Sequence, residues 1–396
     1  MSLPSKSPRP FAGREPGKRR WRLALAGLAL LGAGFLSETA QAITPPDTSA
    51  EFVYLMDAQT GAVLFEKNAD VPMGPASMTK IMTTYLVFER LKDGRLSMDT
   101  PFRVSEKAWR KGGSKMFVEV GKDVTVGDLL RGVIIQSGND ASIVIAEGIS
   151  GSEEAFAAAM TRKAEELGML HSRFRNSTGW PDPDHVSSAH DLAILARAMI
   201  LNFPEYYHLY SGTEFTFSGI RQTNRNPLLY SMGADGLKTG HTEASGYGLT
   251  ASIERDGRRL ILVAHGMESE RERAAESRRL LEWGLREFDN YKLFSAGEVV
   301  DHAGVWLGDA KTVPLVVEED VTVTLPRRSR REMSVTVAYQ GPVPAPVTGD
   351  SLLGTVTVSA PDFDDQVIPL AAGKEIAQLG AFGKLSAALG YLMWGQ

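Results

Sequence analysis

Ser77-Met78-Thr79-Lys80 is the only Ser-x-x-Lys in the chain, and it opens a run of helical spacing. Residues i and i+3 of a helix share a face. A serine hydroxyl becomes a useful nucleophile when a base takes its proton, and a lysine amine can do so once burial and a neighbouring cation lower its pKa. Two fixed residues recur by chance about once in a chain of this length, so a capped surface helix explains this motif equally well on its own. Ser137-Gly138-Asn139 falls between two apolar helical runs, where a loop either presents two polar side chains or simply turns the chain. Lys238-Thr239-Gly240 continues a strand pattern, and its glycine leaves open space against the strand for a substrate backbone. The three motifs together, on a helix start, an interhelical loop and a strand, point to a single nucleophilic site.

Other chemistries find less support. The chain has no cysteine, which excludes thiol catalysis, thiolate metal sites and a disulfide framework. None of the histidines forms an H-E-x-x-H pattern, so neither a metal nor another cofactor is expected. His241 reads as a structural or substrate-edge residue, because Lys80 can serve as the base. Asp182 and Asp184, in a loop rich in Pro and Gly, read as turn formers.

These residues need elements to hold them. Phe52–Asp57 and Ala62–Phe65 flank Gln59-Thr60-Gly61 and predict a β-hairpin. Helical spacing follows from Ser77 to a stop at Gly94, then over Gly127–Ile135, Ala141–Gly148, Glu153–Leu167 and Ala189–Leu201, the last behind the capping box Ser188-x-x-Asp191. Strands return at Gly236–Thr239, Tyr247–Glu254 and Arg259–Gly266, the last two joined across Asp256-Gly257. An amphipathic helix over Ser269–Phe288 closes the segment. Strand pairs at both ends of a helical stretch predict an α+β domain, with one sheet built from the two ends and a helical cluster beside it.

From residue 295 to 372 the texture changes to short β-rich runs broken by Gly and Pro, which predicts a small all-β domain. Its basic run Arg327-Arg328-Ser329-Arg330-Arg331 reads as a solvated turn or edge guard rather than a binding patch. Over residues 373–396, Ile376, Leu379, Phe382, Leu385, Leu389 and Leu392 recur every three or four residues, with Tyr391 and Trp394 suited to a headgroup zone. That stripe predicts an amphipathic helix lying on a membrane surface, the alternative being a helix packed against the β domain or a second copy of it. At the other end, Lys18, Arg19, Arg20 and Arg22 precede an apolar run from Leu23 to Leu36 and the small-residue pattern Ala40-Gln41-Ala42. Residues 1–42 therefore read as a signal peptide for general secretion. They hold seven Lys/Arg and two Asp/Glu of a chain whose net charge is already −5, so the mature protein is more acidic still and poorly suited to nucleic acid.

The set Ser-x-x-Lys, Ser-x-Asn and Lys-Thr-Gly resembles that of penicillin-binding proteins and serine β-lactamases. The likeness extends through Asp235–Thr242 and Arg273-Ala274-Ala275-Glu276-Ser277, and over the mature chain it resembles the low-molecular-mass D-alanyl-D-alanine carboxypeptidases. The resemblance implies a β-lactamase/transpeptidase-like catalytic domain over 43–294, the β domain, the terminal helix, and an exported enzyme on the periplasmic face of the cytoplasmic membrane. It also implies roles for individual residues. Ser77 would attack the bond between two terminal D-alanines, Lys80 would be the neutral base with Lys238 holding its pKa down, Ser137 would protonate the leaving amine, and Asn139 would orient Lys80. Lys238, Thr239 and Arg273 would hold the terminal carboxylate, and backbone N–H groups of Ser77 and His241 would form the oxyanion hole. The implied ligands are peptidoglycan stem peptides ending in D-Ala-D-Ala and β-lactam antibiotics. A class A β-lactamase carries a Glu-x-x-x-Asn loop, and none of the seven glutamates between Ser137 and Lys238 has Asn four residues later. A cross-link-cutting endopeptidase of the same family is the nearest alternative, followed by a serine β-lactamase, against which the missing loop counts, and a non-catalytic envelope scaffold. Intact motifs with two clustered lysines argue against the scaffold, which gains nothing from their electrostatic cost.

Overall fold

The computed structural model describes residues 44–386; the signal peptide assigned to 1–42 and the terminal stretch 387–396 lie outside the described residues. Five antiparallel strands lie in the order Val63–Lys67, Phe52–Asp57, Arg258–Met267, Gly246–Arg255, Gly236–Thr242. The two ends of the segment meet where Phe52–Asp57 pairs with Arg258–Met267, Tyr54 opposite Val263. Side chains alternate across a strand, yet Val53 and Leu55 are buried on one face while Tyr54 and Met56 are buried on the other. Such a sheet must be covered on both sides.

The helix Glu270–Glu287 covers one side, packing Leu280, Leu281 and Trp283 against Val53, Leu55, Leu260 and Leu262. The other side carries Lys80–Lys92, Val126–Ile134, Asn139–Ser150, Glu153–Glu166 and Ala189–Asn202, whose core holds Phe88, Leu129, Leu130, Phe156 and Leu192. Ser152, Ser188 and Ser269 cap three helices, each hydroxyl accepting from the backbone N–H three residues on. The Ser188 capping box is half made, because Asp191 turns away to accept from His171 N and Ser172 Oγ. Asp256 and Gly257 both have positive φ, 54° and 77°, as the tight turn of that hairpin requires.

The β domain departs from expectation at both its boundaries. The helix stops at Glu287, and Phe288–Phe294 is a strand paired with Val321–Pro326, so the β domain begins at Phe288 rather than at residue 295. Phe288-Asp-Asn-Tyr-Lys-Leu-Phe alternates poorly, which concealed the strand. A second, six-stranded sheet runs Ser334–Tyr339, Leu352–Ala360, Phe363–Ala372, Thr312–Val316, Val299–Trp306, Val343–Pro344.

At the far end, the helix expected from Lys374 begins only at Ala381. Ile376 exchanges both backbone hydrogen bonds with Val347, each 2.9 Å, and its side chain is 1% exposed in the β-domain core. Burying an isoleucine contributes about 1.5–3 kcal/mol, enough to hold this stretch extended. Of the expected apolar stripe, Phe382 and Leu385 lie in the described helix and are exposed, whereas Leu389, Tyr391, Leu392 and Trp394 lie outside the described residues.

Candidate active site

Pro75 leads into a single 3₁₀ turn, Ala76–Thr79, which passes directly into the helix from Lys80. In a 3₁₀ turn residues i and i+3 eclipse, and Lys80 Nζ lies 2.9 Å from Ser77 Oγ. Lys80 is fully buried, while Ser77 is half-buried. Two further contacts fix the amine: Nζ donates to Asn139 Oδ1 at 2.8 Å and to the Thr178 carbonyl at 2.6 Å. Asn139 is oriented in turn, because its Nδ2 donates to the Gly112 carbonyl at 2.9 Å.

This arrangement fits a neutral amine. Such an amine has two N–H bonds and one lone pair, and two of its three neighbours are oxygens that can only accept. In the neutral form, with both hydrogens on Asn139 and Thr178, the lone pair would face the one neighbour able to donate, the Ser77 hydroxyl. Burial pushes the Lys80 pKa down from 10.5 to about 7, with Arg225 and Lys111 lowering it further and Asp140 and Glu153 opposing them. The expectation that Lys238 holds it down needs correction: burial comes first, and Arg225 is the leading cation. Lys238 is itself depressed well below the usual value, first by burial and then by Lys80, Arg225 and Arg273.

Ser137 is 2% exposed and sits at φ 58° just before the helix that Asn139 begins, a left-handed conformation uncommon for serine. Ala76, next to the nucleophile, also has positive φ, 47°. Asp140 holds the facing loop, its carboxylate accepting from Met116 N, Phe117 N and Val118 N. Lys238 and Thr239 are buried on Gly236–Thr242. Gly240 does not leave room for a substrate as expected: a Cβ there would come within 3.0 Å of the Pro75 carbonyl and 3.2 Å of Met78. The glycine instead lets the strand press against the turn that carries Ser77.

His241 is exposed and stacks on Tyr247 with ring centroids 3.9 Å apart. Arg273 lies over the same Tyr247 ring at 5.7 Å, with its Nε buried and unpaired among the described residues. Arg225, which no sequence pattern singled out, joins the cationic rim and donates to Ser114 Oγ at 2.7 Å. A groove of about 380 Å³ runs past Pro75 and Ala76 between Gly179–Pro183 and Thr242–Ser245. Asp182 does form a turn, its Oδ1 accepting from Asp184 N, and Asp184 pairs with Arg175. The structure therefore gathers Ser77, Lys80 and Asn139 by direct hydrogen bonds and draws Lys238, Arg225 and Arg273 into one mutually repelling group. Thr178 escaped notice because it acts through its carbonyl, which every residue type carries.

Residues 39–269 match the family described as D-alanyl-D-alanine carboxypeptidase, and residues 288–378 match the penicillin-binding protein 5 C-terminal domain. The D-alanyl-D-alanine carboxypeptidase DacA of Haemophilus influenzae is 36% identical over 350 residues, 87% of this chain and 89% of that protein. The DacC enzyme of Escherichia coli K12 is 37% identical over 354 residues, 87% of this chain and 88% of its own. Among solved structures, penicillin binding protein 5 from Haemophilus influenzae superposes with a TM-score of 0.80 at 35% identity, covering 85% of this chain and all of that one. Penicillin-binding protein D2 from Listeria monocytogenes, in its ampicillin-bound form, matches at TM-score 0.57 and 28% identity over 62% of this chain and all of its own.

Proposed function

This chain belongs to the D-alanyl-D-alanine carboxypeptidase family and is a serine-type carboxypeptidase of the penicillin-binding class, and from that premise we propose which of its atoms carry the reaction. Ser77 Oγ attacks the carbonyl between the two terminal D-alanines while Lys80 takes the hydroxyl proton. The tetrahedral intermediate collapses with loss of D-alanine, whose amine receives a proton through Ser137, and water then hydrolyses the ester on Ser77. Backbone N–H groups of Ser77 and His241 receive the oxyanion. Lys238, Thr239, Arg273 and Arg225 hold the terminal carboxylate, the anion that a cationic, partly desolvated cluster favours. His241 and Tyr247 form the rim of that site.

One observation carries this reading. Lys80 Nζ is within 2.9 Å of Ser77 Oγ and spends its remaining hydrogen bonds on two obligate acceptors. The experiment is to incubate the protein with a pentapeptide ending in D-Ala-D-Ala and with a cross-linked peptide dimer, and to weigh the products. Loss of one D-alanine from the pentapeptide with the dimer intact is expected, and dimer cleavage alone would favour the endopeptidase. Ser77→Ala should fold normally yet fail to become labelled by a fluorescent penicillin; undiminished labelling would remove Ser77 from its role.

The same reading extends to location. Among the described residues no helix is long and apolar enough to cross a membrane. The helix that starts at Ala381 presents Phe382 and Leu385 to solvent, 91% and 61% exposed. Those two residues, with the stripe that follows them in sequence, suit the outer surface of the cytoplasmic membrane, where the exported catalytic domain would face the cell wall.

A further inference from the structure

Thr178 O is one of two acceptors that aim the Lys80 lone pair, so whatever holds Thr178 in place bears on the base. Its neighbour Ser177 is fully buried. The Ser177 carbonyl accepts from Thr83 Oγ1 at 2.7 Å, one turn beyond Lys80 on the same helix. On the other side, Glu153 Oε1 accepts from Ser177 N at 3.2 Å and from Ser177 Oγ at 3.0 Å. Glu153 opens its helix with a side chain only 8% exposed, and its Oε2 lies 3.1 Å from Lys107 Nζ. Asn176 Oδ1 ties the rest of the loop, accepting from the backbone N–H groups of Thr178, Gly179 and Trp180.

A carboxylate buried this far is costly unless its oxygens are filled, and here one oxygen is committed to Ser177 and the other to Lys107. We infer that Glu153 is a positioning residue for the base: held by Lys107, it braces Ser177 so that the adjoining Thr178 carbonyl stays on Lys80 Nζ. The inference rests on Lys80 being the base. Glu153 also acts across space. The charged groups that bear on Lys80 are Arg225 and Lys111 on the cationic side and Asp140 and Glu153 on the anionic side, Lys80 in turn bears on Lys238, and Lys107, Lys111 and His185 interact with Glu153. Removing the Glu153 charge lowers the Lys80 pKa further and moves the acid limb of acylation toward lower pH.

Two substitutions separate bracing from charge. Glu153→Gln keeps an acceptor for both Ser177 donors but loses the anion, so the limb should move to lower pH while the plateau rate falls by less than about threefold. Glu153→Ala loses the acceptor as well, and its plateau should fall about tenfold or more, since small displacements of a catalytic group are this costly. The measurement is the second-order rate of acylation by a fluorescent penicillin from pH 5 to 9, with thermal unfolding recorded for each variant. Both signatures are required. An unmoved limb in the Gln variant, or a wild-type plateau in a folded Ala variant, overturns the inference, and if the Ala variant does not fold, the Gln limb decides alone. Failure of the underlying reading looks different: the unsubstituted protein would then lack a limb near neutrality, and Lys80→Arg would acylate normally.

Discussion

A buried lysine near pKa 7 makes acylation titrate in a range where an ordinary lysine would be silent. With the Lys80 pKa at about 7, the neutral fraction is about one tenth at pH 6, one half at pH 7 and nine tenths at pH 8. At the usual 10.5 the neutral fraction at pH 7 would be roughly 3 × 10⁻⁴, a deficit of about a thousandfold. Only the neutral amine accepts the Ser77 proton, so the rate rises with pH. The acylation rate constant of the free enzyme should therefore climb about one decade per pH unit below 7 and flatten above 8. Rapid-quench labelling with a fluorescent penicillin between pH 5 and 10 reads it directly. Arg225 is the leading cation lowering this pKa, so Arg225→Ala should raise the pKa and carry the limb to higher pH. Lys80→Arg, whose guanidinium stays charged, should lose about 10²–10⁴-fold. A rate that keeps climbing through pH 9, or one that is flat from pH 5 upward, would refute the neutral-lysine mechanism.

Two further outcomes follow from packing. Gly179 has φ 79°, and a Cβ there would stand 1.7 Å from the Ala76 carbonyl oxygen, so Gly179→Ala should lower both the unfolding midpoint and the acylation rate, the latter about tenfold; wild-type values of both would show that the loop and the Ser77 turn are not in such close contact. A chain ending at Gly380 keeps Ile376 in the β-domain core and should remain active on peptide yet stay out of membrane pellets, whereas the chain through Gln396 should sediment with lipid vesicles. Equal partitioning of the two would end the anchoring proposal.

Much of this architecture was legible because its signals are local. The hairpin at Asp256-Gly257 is written in two residues that tolerate positive φ, and the serine caps announce helix starts within a residue or two. Ser77, Lys80 and Asn139 could be singled out because they meet through their side chains and sit in short motifs of fixed spacing, Ser77 and Lys80 three residues apart on one turn. Other parts are set by contacts distant in sequence. Ile376 fits a helical stripe by spacing, but its pairing with Val347 wins because that pairing satisfies backbone and side chain together. Gly240 reads in sequence as room for a substrate, but the turn at Pro75 and Met78, distant in sequence, presses against it. Arg225 and Glu153 carry no motif, and their importance lies in what folds up beside them.

The proposed roles ask one cluster both to hold an anion and to keep a base neutral, and the site's electrostatics are compatible with both. Lys80, Lys238, Arg225 and Arg273 are drawn together with few anions to offset them, and that crowding penalises every additional proton. Guanidinium groups cannot shed theirs, so the cost falls on the two lysines. The hydrogen bonds then distinguish between these two. Lys80 has two obligate acceptors and one hydroxyl arranged around its nitrogen, which suits a directed lone pair, whereas among the described residues Lys238 Nζ donates to the Thr239 carbonyl alone, at 3.3 Å, which suits the proposed contact with an incoming carboxylate. Asp140 and Glu153, behind Lys80, limit how far its pKa can fall. A base whose pKa fell much lower would be neutral throughout the neutral pH range but would accept the serine proton too weakly. The two buried carboxylates that brace the neighbouring loops thus also help keep the amine basic enough to act.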